Sequence, residues 1–112
     1  MSRKALPNNT KRMIRHIVMW RLRDSARGND RQTNAYLVKE KLEALRGKMP
    51  GMTALEVGID CSRTESSGDV VLFSEFVDID ALKAYQAHPE HLALIPFIGD
   101  ATIERRIVDY EA

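Results

Sequence analysis

Seven consecutive residues, Tyr85-Gln86-Ala87-His88-Pro89-Glu90-His91, hold two of the chain's three histidines and one of its three tyrosines. An imidazole titrates near neutrality, so it can remove a proton alpha to a carbonyl at physiological pH. A tyrosine hydroxyl can donate a hydrogen bond to the carbonyl oxygen as it becomes an enolate. The third histidine, His16, could polarise or position a substrate. Asp109 could orient an imidazole ring and fix its tautomer, provided the last strand runs beside the first. Three histidines also raise the question of a metal, but Pro89 interrupts His88-x-x-His91. It removes the helical register that makes paired ligands face one way, and no metal ligands are assigned. Neither GxGxxG nor a P-loop pattern occurs, so no cofactor is expected.

These groups need elements to hold them. Asp78 can cap a helix over about 79–87, in which Ile79, Leu82 and Tyr85 recur at intervals of three. Pro89 has no N–H to donate and restricts the residue before it, so it ends this helix. Tyr85 therefore falls on the last helical turn, with His88 and His91 in an irregular or briefly helical segment, 88–101. Residues 13–23 read as a first strand, rich in β-branched and aromatic residues. Its alternation places Ile14, His16, Val18, Trp20 and Leu22 on one face. After a turn at 24–29, residues 30–47 read as a helix with the stripe Ala35, Val38, Leu42 and Leu45, capped by Gly47 and followed by a turn at Pro50-Gly51. Residues 52–60 and 70–77 are further strands around a polar loop, 61–69. Residues 102–110 close the chain as a fourth strand, with Ile103, Arg105, Ile107 and Asp109 on one face. Trp20, Leu22, Leu72, Phe76 and Ile107 would supply apolar walls to a pocket, and His88 a polar contact.

The order β-α-β-β-α-β predicts an α+β, ferredoxin-like fold: a four-stranded antiparallel sheet with both helices on one face. The other face carries apolar residues too, and a monomer would expose it as a large patch. A two-fold homodimer packing sheet on sheet into a dimeric α/β barrel removes that exposure. The chain is short enough for one domain, 13–112, preceded by a polar, basic arm at 1–12 that is expected to be disordered. A net charge of +1 supplies no global field for nucleic acid, and no apolar run approaches a membrane span. The single cysteine, Cys61, excludes a disulfide within the chain and points to a cytoplasmic setting.

The opening RHIVMWRLRD, the segment FSEFVDIDALKAYQAHPEHL and the closing RIVDYE together resemble the stress-responsive A/B barrel (Dabb) family across about residues 13–111. The most specific piece is Tyr-x-x-His-Pro-x-His after a helix. The resemblance implies a dimeric α+β barrel. It does not imply one activity: relatives include stress-linked plant proteins and polyketide cyclases that close a ring by intramolecular aldol condensation, and the wider group holds oxygenases. The cyclase branch's active-site positions fall on Tyr85, His91, His16 and Asp109. Carried over, His91 would be the base and Tyr85 the hydrogen-bond donor. Trp20 and Arg105 are bulkier or more polar than a wide hydrophobic tunnel calls for, which points away from a polyketide. The expected ligand is a small apolar or aromatic molecule. It would be transformed by a cofactor-independent lyase or cyclase; the alternatives are a non-catalytic ligand-binding stress protein and a cofactor-free oxygenase.

Overall fold

A computed structural model describes residues 12–112. The expected N-terminal arm, Arg12 apart, lies outside the described residues. Four long strands form one antiparallel sheet: β1 (Ile14–Leu22), β4 (Met52–Ile59), β5 (Val70–Phe76) and β6 (Thr102–Glu111), in the order β4-β5-β1-β6. Helices α1 (Arg31–Glu43) and α2 (Ile79–Ala87) cover one face. This is the ferredoxin-like arrangement that the order of elements predicts.

Alternation along β1 decides which face is covered. Ile14, His16, Val18, Trp20 and Leu22 are all buried, while Met19 and Arg21 on the other face are exposed. Val70, Leu72, Ser74 and Phe76 continue the buried face on β5, and Leu55 and Val57 on β4. The α1 stripe of Ala35, Val38, Leu42 and Leu45 packs onto them. Asp30 caps α1 by accepting from the Thr33 amide at 2.8 Å, and Asp78 caps α2 by accepting from that of Ala81 at 2.8 Å.

Several boundaries differ from the sequence expectation. Helix α1 stops at Glu43 instead of running to 47. Residues 44–48 continue as turns, with Gly47 in the left-handed region at φ +81°. The turn at 24–29 contains a small hairpin, β2 (Ser25–Ala26) and β3 (Asn29–Asp30). Its two-residue loop, Arg27-Gly28, has positive φ at both positions, which matches the twist of a hairpin; an arginine first gave no warning of it. Ile79 is 45 % exposed, so α2 buries only Leu82 and Tyr85.

The larger difference is at 88–101, where two short helices form: α3 (Pro89–Leu92) and α4 (Ile95–Ala101). Pro89 ends α2 as expected, but it also opens α3, because a residue without an N–H fits the first turn of a helix. His88 sits between the two in extended backbone, and its Nδ1 accepts from the Glu90 amide at 3.1 Å. Pro96 stands likewise in the first turn of α4. Gly51 is required where the chain passes α2. Its φ is +81°, and a Cβ there would lie 2.6 Å from that of Ala81.

Candidate functional site

β6 pairs with β1 so that His16 faces Asp109, Val18 faces Ile107 and Trp20 faces Arg105. The condition on Asp109 is met. His16 Nδ1 lies 2.5 Å from Asp109 Oδ1. A carboxylate accepts, so Nδ1 carries the proton, and a neutral tautomer with its proton there has its lone pair on Nε2. His16 is 3 % exposed, and the hydroxyl of buried Ser74 donates to its carbonyl at 2.9 Å. Backbone and ring are both fixed.

Tyr85 projects from the last turn of α2 onto this histidine. The ring centroids are 6.1 Å apart in an edge-on contact, and Phe76 packs on the other ring at 5.2 Å. Tyr85 is 2 % exposed, and its hydroxyl has no hydrogen-bond partner among the described residues. Burial pushes its pKa up to about 12, opposed in part by the charge of Arg105. It is therefore a protonated donor across the physiological range.

The short helix α3 returns the chain over Tyr85. His91 stacks at a tilt on the Tyr85 ring, 4.5 Å between centroids. Its Nδ1 donates to the Gln86 carbonyl at 3.1 Å. A carbonyl can only accept, so the neutral His91 tautomer again leaves Nε2 free. Burial lowers the His91 pKa, with further lowering from His16 and Arg105, against the bond to Gln86 that raises it. The ring is thus held in the form that can take up a proton.

These groups line one cavity of about 290 Å³. His16, Tyr85, His91 and Arg105 are its titratable members; Val18, Trp20, Leu42, Leu72, Leu94, Ile95 and Ile98 form the apolar wall, with Gly99 and Thr102 at one end. The Thr102 hydroxyl is committed to the Ile98 carbonyl at 2.6 Å. Of the residues that the sequence suggested, His16, Tyr85, His91, Trp20 and Leu72 come together here. Asp109 stands behind His16. Leu22 and Phe76 are buried in the core on the same sheet face without lining the cavity, and Ile107 is 41 % exposed on β6 beyond it. His88 is not in the lining; its ring caps α3 instead.

Sequence reasoning missed Leu94, Ile95, Ile98 and Thr102. Their spacing, with Pro96 in a first helical turn, was the available signal for a short amphipathic helix. A larger groove of about 480 Å³ runs past Arg21, Asp24, Arg31, Asp60, Arg63 and Asp69. Its charges serve the backbone or one another: Arg31 pairs with Asp24, Asp60 accepts from the Arg63 amide, and Asp69 accepts from that of Leu22. Among the described residues, no three of His, Cys, Asp and Glu gather as a metal would need, and no helix is long and apolar enough to cross a membrane.

The family model for the stress responsive A/B barrel domain matches residues 14–112. A dimeric protein of unknown function with a ferredoxin-like fold from Bacteroides fragilis is 33% identical. It superposes with a TM-score of 0.78 over 89% of this chain and 96% of its own. A dimeric ferredoxin-like protein of unknown function from Thermobifida fusca is 23% identical, TM-score 0.79, over 92% and 93%. The hydroxynitrile lyase of Passiflora edulis is 16% identical, TM-score 0.76, over 92% and 95%; at that identity the likeness speaks for the fold alone. Comparison with curated proteins finds no match.

Proposed function

The chain belongs to the stress responsive A/B barrel domain family, and from that membership and the site geometry we propose that it is a cytoplasmic homodimer of the stress-response type whose cavity performs cofactor-independent proton transfer on a small carbonyl compound, as a lyase or cyclase. The observation that carries this reading is the Tyr85–His91 pair. A protonated phenol and a neutral imidazole with a free Nε2 lie ring on ring at 4.5 Å on the wall of one cavity.

In the proposed step, His91 Nε2 takes the proton alpha to the substrate carbonyl. The C–H electron pair moves into the carbonyl, and the oxygen that gains charge accepts a hydrogen bond from the Tyr85 hydroxyl. In a cyclase the enolate carbon then attacks a second carbonyl carbon. The alkoxide so formed takes the proton back from the His91 imidazolium, which restores the base. His16, oriented by Asp109, positions the substrate from the sheet side.

The homodimer reading rests on the uncovered sheet face. Met19, Val108 and Tyr110 are exposed there, and Ile17, Val71 and Phe73 are half-buried beside them. Arg15 and Glu75 on this face already pair at 3.1 Å, and the Arg15 guanidinium lies over the Tyr110 ring. Pairing within one subunit lowers the cost of covering these charges with a second. The dimeric state described for the Bacteroides fragilis and Thermobifida fusca proteins supports the same assembly.

The test is deuterium incorporation alpha to the carbonyl of small aromatic ketones in heavy water, followed by mass spectrometry. The wild type should accelerate exchange, and His91→Ala should abolish the acceleration while folding and assembling normally. Exchange that survives in folded His91→Ala refutes His91 as the base. The apolar wall supports a second reading, binding without turnover; a ligand recovered unchanged and unexchanged after long incubation selects it.

A further inference from the structure

The cavity's one permanent charge has no counterpart among the described residues. Arg105 lines the cavity from β6, and among the described residues its guanidinium makes no hydrogen bond and no ion pair. Its neighbour Arg106, on the opposite face of β6, pairs with Glu104 at 2.7 Å. None of the lining residues is acidic. The nearest carboxylate on the same side of β6 is Asp109, four residues along an extended strand and so about 13 Å away, and it is committed to His16.

The lining also offers two further donors, beside the Nε2 acceptors of His16 and His91. Among the described residues the Tyr85 hydroxyl is without a partner, and so is the indole N–H of Trp20, the residue opposite Arg105 in the register. The charge of Arg105 is felt at both working rings, acting against the upward shift at Tyr85 and adding to the downward shift at His91. An exposed guanidinium at the edge of an apolar cavity, with no acid among the lining residues, presents the planar donor fork that matches a carboxylate.

We infer that Arg105 binds an anionic group of the substrate, so that the substrate class is a small keto acid: a carboxylate on Arg105, an apolar or aromatic body against Trp20, Leu72 and Ile98, and a carbonyl presented to Tyr85 and His91. The inference rests on the proposed acid–base role of the site and adds to it what the substrate must carry. It also gives Arg105 a purpose in a lining that a neutral, wholly apolar ligand would leave without one. The cavity, at about 290 Å³, is at the small end of the range for ligand sites.

The probe is 4-oxo-4-phenylbutanoate, compared with its primary amide, which keeps the ring, the ketone and the shape but loses the charge. Dissociation constants are measured by titration calorimetry for the wild type, Arg105→Gln and Arg105→Lys, and alpha-deuterium exchange is followed on both compounds. The wild type should bind the acid about tenfold or more tighter than the amide. Arg105→Gln should bring the two within about twofold of each other, and Arg105→Lys should restore part of the preference. Equal binding in the wild type, or a preference that survives Arg105→Gln, overturns the role of Arg105. If the amide still exchanges in a His91-dependent manner in that case, the acid–base reading stands alone. If the acid is preferred through Arg105 yet neither compound exchanges, the acid–base reading falls and the anion site stands. If neither compound binds, both fall.

Discussion

Tyr85→Phe should separate stability from chemistry. The substitution keeps the ring that packs on Phe76 at 5.2 Å and on His91 at 4.5 Å. It removes only a hydroxyl that has no partner among the described residues. No described group loses a hydrogen-bond partner, so stability at pH 8 should stay within about 1 kcal/mol of the wild type. At alkaline pH the variant should become the more stable of the two. The Tyr85 pKa rises from 10.0 when unfolded to about 12 when folded. The folded state then holds its proton where the unfolded state has lost it, so stability falls as pH rises above 10. Two units correspond to about 3 kcal/mol in full, and about 1.4 kcal/mol of that should have appeared by pH 11. Urea melts at pH 8 and pH 11 measure the change, and the ultraviolet difference titration between the proteins should centre near pH 12. Alpha-proton exchange should nonetheless fall about 100-fold, as expected on losing a donor to a developing oxyanion. A variant destabilised by more than about 2 kcal/mol at pH 8 would mean that the hydroxyl is bonded within the protein, and the reasoning about a free donor would fail.

Three further outcomes follow from the same geometry. His91, whose pKa burial lowers, should keep exchange active below the usual histidine range. Its contribution to stability is fully present above pH 6.5 and declines as pH falls below it, because the unfolded chain takes up the proton first; histidine NMR titration and acid melts read both. Asp109→Asn should remove the carboxylate that holds His16 Nδ1–H, cost about 1–2 kcal/mol and abolish a downfield Nδ1 proton resonance; a resonance that persists in the variant counts against the 2.5 Å bond. Val108→Asp places a charge on the open face at a residue 55 % exposed in one subunit, so sedimentation should show a monomer while the subunit stays folded; an unchanged dimer puts the interface elsewhere.

How much of this was legible in the sequence depended on the range over which each signal acts. Period-two alternation put His16, Val18 and Trp20 on the covered face of β1, because strand geometry leaves only two sides to choose from. Antiparallel pairing of first and last strands then set Asp109 opposite His16. Tyr85 on the last turn of α2 followed from a cap at Asp78 and a stop at Pro89. What alternation cannot give is which covered residues meet a cavity and which meet a helix. Leu22 and Phe76 share the covered face with Trp20 and Leu72, yet only the second pair lines the site. That choice is made by α3 and α4, which are too short for periodicity to register and whose prolines read as breakers when they are starters. Sequence reasoning put His88 beside His91 as one motif; one intervening helix start sent the first ring to a cap and the second to the cavity.

The cavity itself is a consequence of mismatched layers. Two main helices lie across four strands, α1 against β4, β5 and β1, and α2 against β1 and β5. The main contacts of both helices are thus with the other three strands, and the main packing neighbour of β6 is β1. An edge strand left bare on its covered side would present Arg105, Ile107 and Asp109 to water, and all three are partly or largely exposed. The segment after α2 turns back at Pro89 and lays Leu94, Ile95 and Ile98 over the gap without filling it. Close packing would have closed the space, and the volume that remains is bounded by a rigid sheet below and two short helices above. The working groups come from both sides of that boundary: His16 and Arg105 from the sheet, Tyr85 from the end of α2, and His91 from α3. A ligand between them would therefore join the roof to the floor. Binding should slow amide hydrogen exchange in 89–101 more than in β4, the strand at the far edge of the sheet; equal protection in both segments would show that the ligand seats somewhere other than this gap.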